Sequence, residues 1–258
     1  MTIELCGVTL YYEQCGAGKD ILLLHGWGGK CESFAPVIRD FSGRFRITAL
    51  DFPGQGNRSN DPPEPWSVTE YMEMTAQFIR ATGIERCNII AHSFGGRVAL
   101  VLAATYPELV GRMILTGVPG LKSEKPSMPT VKSRVYKALK ALATSSAIEA
   151  VVGEKTANAW HARLQEIFGS ADYRALSPEM RKTFSRIVTQ DLTEHLTRIK
   201  APTLLFWGAN DTAAPIWMAQ KMEKMIPDAG LIVKENVGHF AYLDCYSDFQ
   251  AVIQSFFS

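Results

Sequence analysis

The run Ile21-Leu22-Leu23-Leu24 is apolar at every position. A strand with one face in water alternates polar and apolar residues, so an unbroken run of this length reads as a strand covered on both faces, as parallel sheets require. Cys87-Asn88-Ile89-Ile90-Ala91, Met113-Ile114-Leu115, Thr203-Leu204-Leu205-Phe206-Trp207 and Leu231-Ile232-Val233 are further strands, and Phe45 to Leu50 is another that ends at Asp51. Ile3 to Leu5 and Val8 to Tyr12 form a pair around Cys6-Gly7. Between the later strands the apolar residues recur at helical spacing. Phe34, Val37, Ile38 and Phe41 make one stripe. Tyr71, Met74, Phe78 and Ile79 make a second, behind a Ser67/Glu70 capping box. Val98, Leu102 and Tyr106 make a third; a helix follows Pro215, and Phe249, Val252, Ile253 and Phe256 close the chain. Strands alternating with helices predict an α/β fold with a mostly parallel central sheet and helices on both faces.

The alternation breaks between about Val118 and Lys200. No buried strand is legible there, only helical stretches punctuated by Pro126, Pro129, Gly153, Gly169 and Pro178. We therefore expect a core domain made of residues 1–118 and 200–258, with 119–199 inserted as a helical cap. Ligands of open α/β sheets bind at the carboxyl ends of the strands, so an insertion at that end would act as a lid.

Four short segments carry chemistry. Ala91-His92-Ser93-Phe94-Gly95-Gly96 joins a buried strand to a helix. A serine on so sharp a turn occupies costly backbone space, and the turn closes only when the residues two before and two after it are small. The bland alternative is a tight turn without chemistry; the strand–turn–helix context favours a nucleophile, Ser93. His25-Gly26-Trp27-Gly28-Gly29 follows the most apolar strand, and its glycines let backbone N–H groups approach a ligand closely. One amide from this loop and that of Phe94 would make an oxyanion hole. Gly208-Ala209-Asn210-Asp211 follows the strand ending at Trp207, where a carboxylate can hold an imidazole in one tautomer. Gly238-His239-Phe240 lies in the loop after Leu231–Val233. Alone, Asp211 would pass for a helix-entry acid and His239 for an incidental loop residue. Together they complete a nucleophile, base and acid, each at the end of its own strand. His92 adjoins Ser93 but faces the other way if the strand pleat persists, and His161 and His195 read as surface groups of the insertion.

Composition narrows the alternatives. The 258 residues carry a formal charge of +1, with 47% hydrophobic and 21% charged residues. This balance gives no support to a nucleic-acid or membrane partner. The first residues lack a basic segment followed by an apolar one, and no apolar run reaches spanning length, so a cytoplasmic location is expected. Cys6, Cys15, Cys31, Cys87 and Cys245 are odd in number and widely spaced, without a C-x-x-C, which predicts free thiols rather than disulfides or a zinc site. Nothing calls for a metal or other cofactor.

At these motifs the chain resembles the α/β-hydrolase superfamily over nearly its whole length. The resemblance rests on His25-Gly26-Trp27-Gly28, on Asp51-Phe52-Pro53-Gly54-Gln55-Gly56-Asn57-Arg58-Ser59, on the Ser93 segment, on Pro202 to Asp211 and on Val237-Gly238-His239-Phe240. It implies a sheet of about eight strands and a helical cap. It also implies Ser93 as nucleophile, His239 as base, Asp211 as acid, and Trp27 and Phe94 as oxyanion donors. His25 reads as support for the oxyanion loop, and His25 and Phe240 are the candidate substrate-binding residues. The order Ser93, Asp211, His239 is the one expected of this fold. Ala91 departs from the family, which usually has glycine there; alanine is still small, so the elbow should tighten slightly with its chemistry intact. A serine nucleophile turns the expectation away from haloalkane dehalogenases and epoxide hydrolases. The Asp51 to Ser59 loop reads as structural.

The expected activity is hydrolysis of small or medium carboxylic esters. The alternatives are a carbon–carbon bond hydrolase or lyase using the same triad, an aminopeptidase of the proline-releasing type, and a ligand-sensing protein that retains the triad. The cap should choose the substrate. Tyr136, Trp160, Phe168, Tyr173 and Phe184 fit its own core better than a ligand wall. Lys122, Lys125, Lys132, Arg134, Lys137 and Lys140 stand against one acid, Glu124, beside an apolar stripe of Val131, Val135, Leu139 and Leu142. The simpler reading is a solvated helix face. The sharper one is a dock for an acidic substrate or acyl carrier protein, prompted by a resemblance to pimeloyl-carrier methyl esterases, which share His-Gly-Trp-Gly.

Overall fold

The computed structural model describes residues 1–56, 58–123 and 176–258. The chain divides into two compact units, Met1–Lys122 with Lys182–Ser258, and Ser123–Arg181. The first contains an eight-stranded sheet in the order β1-β2-β4-β3-β5-β6-β7-β8. Its strands are β1 (Thr2–Leu5), β2 (Val8–Cys15), β3 (Lys19–Leu24), β4 (Phe45–Leu50), β5 (Cys87–His92), β6 (Val110–Thr116), β7 (Thr203–Gly208) and β8 (Ala229–Lys234). β1 and β2 are antiparallel to their neighbours, and β3 to β8 run parallel. The helices of the described residues are α1 (Ala35–Phe41), α2 (Val68–Ala81), α3 (Phe94–Thr105), α4 (Pro178–Thr189), α5 (Ile216–Met225), α6 (Ala241–Asp244) and α7 (Tyr246–Phe256).

The continuous apolar strands do what their sequence requires. Successive residues point to opposite faces, and both faces are covered. Leu22, Leu24, Ile89, Ala91, Met113, Leu115, Leu205 and Trp207 pack on one side with α2 and α3. Ile21, Leu23, Ile90, Ile114 and Phe206 pack on the other with α1 and α7. Burying such side chains is worth about 1.5–3 kcal/mol each, which explains why apolar residues dominate these runs. The Ser67 cap forms as its sequence implies: its hydroxyl accepts from Thr69 N–H, and Glu70 reaches back to the Ser67 amide.

The return from the insertion is earlier than the expected 200. Lys182 onward belongs to the core unit, because Ile187, Leu192, Leu196 and Ile199 are buried in the apolar cluster on the α2/α3 side. Gln190 and Thr183 fasten this segment by accepting from the Val68 and Trp66 amides. Of the unit 123–181, only Ser123 and residues 176–181 are described. The basic residues from Lys125 to Lys140, with Glu124, Tyr136, Trp160, His161, Phe168 and Tyr173, lie outside the described residues. His195 is half-buried against Arg198 rather than a surface group. All five cysteines are free.

The strand order places the site. Between β3 and β5 the chain reverses its direction across the sheet, since β3 leads to β4 on one side and β4 returns to β5 on the other. The carboxyl ends of two adjacent strands therefore splay their loops apart, leaving a crevice where ligands bind in folds of this type. The His25 loop and Ser93 emerge there.

Candidate active site

Ser93 has φ 50° and ψ −111° between β5 and α3. A residue with a side chain persists in this region only when its surroundings hold it. Its amide donates to the Thr116 carbonyl at 2.9 Å, and the Gly95 amide donates to His25 O at 3.0 Å. Gly95 is obligatory: a Cβ there would lie 2.1 Å from Leu24 O. Gly96 is likewise crowded, by the Val118 side chain at 2.1 Å. Ala91 takes the small-residue position before the elbow within the regular β5 ladder, paired with Leu24 and Leu115. Its methyl group is accommodated without a left-handed backbone.

The structure brings Ser93, His239 and Asp211 together. His239 Nε2 lies 3.1 Å from Ser93 Oγ, and His239 Nδ1 lies 2.8 Å from Asp211 Oδ2. Asp211 is 4% exposed. Its second oxygen, Oδ1, accepts from the Ala213 and Ala214 amides at 2.9 and 2.8 Å. A carboxylate so bonded is an acceptor, which makes Nδ1 of His239 the protonated nitrogen and leaves the Nε2 lone pair facing the serine. The two loops are clamped to each other. Asn210 N–H donates to Val237 O and Ala209 N–H donates to Lys234 O, while within the acid's own segment Trp207 Nε1 donates to Ala214 O. At Gly208 a Cβ would meet Gly238 O at 2.2 Å, so the absence of a side chain sets the separation of acid and base. Gly117, with φ 57°, lets the His239 ring lie against the chain after β6, where a Cβ would come 2.9 Å from Nδ1.

Trp27 and Phe94 flank Ser93 from two elements. The Phe94 amide opens α3, where helix N–H groups lack intrahelical partners and the dipole favours negative charge. The Trp27 amide is likewise uncommitted to any protein acceptor among the described residues. Their rings meet edge to face at 5.4 Å. Phe184, expected in a cap core, instead sets its ring 5.1 Å from Trp27. Phe240 is 50% exposed, with its ring 5.4 Å from that of His239.

His25 braces the loop, as its position in the sequence suggests, and offers no nitrogen to a substrate. It is 1% exposed, and both ring nitrogens are spent inside the protein. Nε2 accepts from Phe52 N–H at 3.0 Å, so Nδ1 carries the proton and donates to Gly26 O at 2.7 Å. A ring used in this way supports the loop and has no nitrogen left for substrate. Burial lowers its pKa and keeps it neutral.

His92 was set aside in the sequence because it faces away from Ser93. It does face the α1/α7 side, yet its ring still packs 4.7 Å from that of His239 and 4.9 Å from that of Tyr242. Its Nδ1 donates to Thr116 O at 3.1 Å. Only the meeting of the β5 and β8 loops reveals this; no sequence signal marks it. Burial, aided by His239, pushes the His92 imidazole down from 6.5 to about 3. Folded protein thus refuses a proton that the unfolded chain accepts below about pH 6.5, so acidification through this window favours unfolding. Between about pH 7 and about pH 5 this group alone should remove about 2 kcal/mol of stability. Denaturant unfolding at the two pH values should show wild type losing that much more than His92→Gln; equal losses would refute the buried, neutral assignment.

A hydroxyl, a correctly protonated imidazole, a buried carboxylate and two uncommitted amides can together carry nucleophilic attack on a carbonyl carbon. The buried thiols offer no rival, since burial pushes Cys31 up and Cys87 up to about 12. Among the described residues, no group of three or more His, Cys, Asp or Glu could hold a metal ion, and no helix is long and apolar enough to cross a membrane.

Comparison with known proteins identifies the family of the fold. The model of a family described as the alpha/beta hydrolase fold matches residues 20–245. The 2-hydroxy-6-oxo-6-phenylhexa-2,4-dienoate hydrolase of Comamonas testosteroni is 25% identical over 264 residues, covering 98% of this chain and 92% of its own. The pimeloyl-acyl-carrier-protein methyl ester esterase of Edwardsiella ictaluri is 26% identical over 262 residues, covering 96% of each. Among solved structures, an N-acyl homoserine lactone degrading enzyme superimposes with a TM-score of 0.76 at 22% identity, over 99% of this chain and 100% of the other. At that identity the superposition speaks for the fold alone.

Proposed function

The chain belongs to the α/β-hydrolase fold family, and from that premise we propose that it hydrolyses carboxylic esters of small or medium acyl groups through an acyl-enzyme. The observation that carries this reading is the continuous relay from Asp211 Oδ2 through His239 to Ser93 Oγ, at 2.8 and 3.1 Å. His239 Nε2 takes the Ser93 proton as Oγ attacks the ester carbonyl. The oxygen that gains negative charge is received by the Trp27 and Phe94 amides. Collapse expels the alkoxide, which takes the proton from His239 and leaves as the alcohol. Water, deprotonated by His239, then attacks the acyl-enzyme and releases the carboxylic acid and free Ser93. The aromatic wall of Trp27, Phe94 and Phe184 and the exposed Phe240 suit an apolar acyl or alcohol group.

A carbon–carbon bond hydrolase is the second reading, favoured by the Comamonas relative, which matches nearly the whole chain. The triad serves either, because each bond is cleaved at a carbonyl. A basic segment receiving an acidic substrate or carrier protein remains a further proposal. A panel separates the main readings. We expect p-nitrophenyl esters of short and medium acids to give a burst and then steady turnover, with a 2-hydroxy-6-oxo-dienoate turned over at least a hundredfold more slowly. The reverse preference would install the second reading, and no turnover of either with intact fold would defeat both.

A further inference from the structure

The Asp51 to Ser59 loop does more than turn the chain. It is bonded to the His25 loop at three points. Phe52 N–H donates to His25 Nε2 at 3.0 Å, Gly28 N–H donates to Gln55 Oε1 at 2.5 Å, and Cys31 N–H donates to Asp51 Oδ1 at 2.6 Å. Asp51 is wholly buried and is itself held by Arg58 Nε at 2.7 Å, so the last acceptor is a fixed one.

These bonds fall on either side of Trp27. Peptide groups are planar and trans, so holding one end of a group sets the direction of the other. The group joining Gly26 to Trp27 is held by its carbonyl, which accepts from His25 Nδ1 at 2.7 Å and from Gly29 N–H at 2.9 Å. The Trp27 N–H, at the opposite edge of the same plane, thereby points away from these two donors. The group joining Trp27 to Gly28 is held by its amide, through Gln55. With both planes fixed, neither φ nor ψ of Trp27 is free. Gly28 adopts φ 74° in the same turn, a conformation that costs glycine little. Ring contacts to Trp27 do not replace this restraint, because they act on the side chain and leave the peptide planes free to rotate.

Gln55 carries a cost that packing does not explain. It is 3% exposed, and its Nε2 is buried without a partner among the described residues. A buried amide lacking its bonds is destabilising. An apolar side chain of the same length would avoid that penalty, but it would leave the Gly28 amide without an acceptor. Local rules are most often broken where function sets the residue.

We propose that Gln55 is a positioning residue for catalysis, its side-chain carbonyl fixing the peptide plane after Trp27 so that the Trp27 N–H stays aimed at the oxyanion. This rests on the hydrolase reading given above. Removing the acceptor releases a donor that acts in the transition state more than in the ground state, so the loss falls on kcat.

The experiment is Gln55→Met, with Gln55→Glu as its conservative partner. The methionine keeps the length and removes the acceptor. The glutamate retains an acceptor oxygen in either protonation state. On a p-nitrophenyl ester we expect Gln55→Met to lower kcat about ten- to a hundredfold with KM within about twofold. Its affinity for phenylboronic acid, which forms a tetrahedral adduct with the serine, should fall by the same factor as kcat/KM. Gln55→Glu should recover most of the loss. Folded Gln55→Met with kcat and boronate affinity within about twofold of wild type would overturn the proposal, as would equal losses in both variants. Should Gln55→Met fail to fold, Gln55→Glu decides: activity and boronate affinity near wild type sustain the proposal, and a loss above about tenfold in the folded variant overturns it. A wild-type protein inert towards ester and boronate would overturn the hydrolase reading and this one with it, whereas an active wild type with an indifferent Gln55→Met overturns this one alone.

Discussion

Ser93→Ala should lower ester turnover by about a millionfold while the protein stays folded. Among the described residues, the Ser93 hydroxyl is the nucleophile that His239 faces, with Oγ 3.1 Å from Nε2. Removing it leaves nothing for the base to deprotonate except water, and members of such a relay act as a unit. The remaining acceleration comes from the two amides and from binding. Alanine keeps the Cβ, so the backbone at φ 50° is neither relieved nor further strained. The Thr116 carbonyl still receives the residue 93 amide. Circular dichroism and melting temperature should therefore match wild type. A folded variant retaining a tenth or more of the wild-type kcat would remove Ser93 from the mechanism.

Asp211→Asn should cost about 10⁴ in kcat, with KM changed little. The geometry gives the reason. Oδ1 already accepts from the Ala213 and Ala214 amides, and an asparagine oxygen can keep both bonds. Its NH₂ then takes the place of Oδ2 and points at His239 Nδ1. Two donors cannot face each other, so the imidazole shifts its proton to Nε2, the nitrogen that must accept from Ser93. The variant is folded, properly packed and in the wrong tautomer. Near-wild-type activity would mean that the acid comes from elsewhere. Asp244, the acid nearest to His239 along the chain after it, sits exposed at the end of α6, in contrast to the buried, amide-held Asp211.

How much of this was legible in the chain depends on the range of the forces involved. Residues 21–24, 87–91, 113–115 and 203–207 announce doubly covered strands because burial on both faces acts on every position of a strand. The Ser93 elbow is equally local: the small residues at 91 and 95 decide whether the turn can close, and a Cβ at Gly95 would lie only 2.1 Å from Leu24 O. The order of Ser93, Asp211 and His239, each after its own strand, was likewise readable along the chain.

What the sequence could not decide was which loops meet. Tertiary structure made His25 a buried brace rather than a substrate contact, because β4 lies beside β3 and brings the Phe52 amide to its ring. It set His92 against His239, and it brought Phe184 of α4 onto Trp27, far earlier in the chain. It also returned the chain to the core at Lys182, since Ile187, Leu192 and Leu196 find apolar partners that no local pattern reveals. Gln55 shows the division most clearly. Its neighbours Gly54 and Gly56 mark a turn by composition, but the partner of its side chain, the amide of Gly28, is 27 residues away. Periodicity records the environment of each element; the hydrogen bonds that aim a catalytic group are made between elements, and only the order of strands in the sheet brings them within 3 Å.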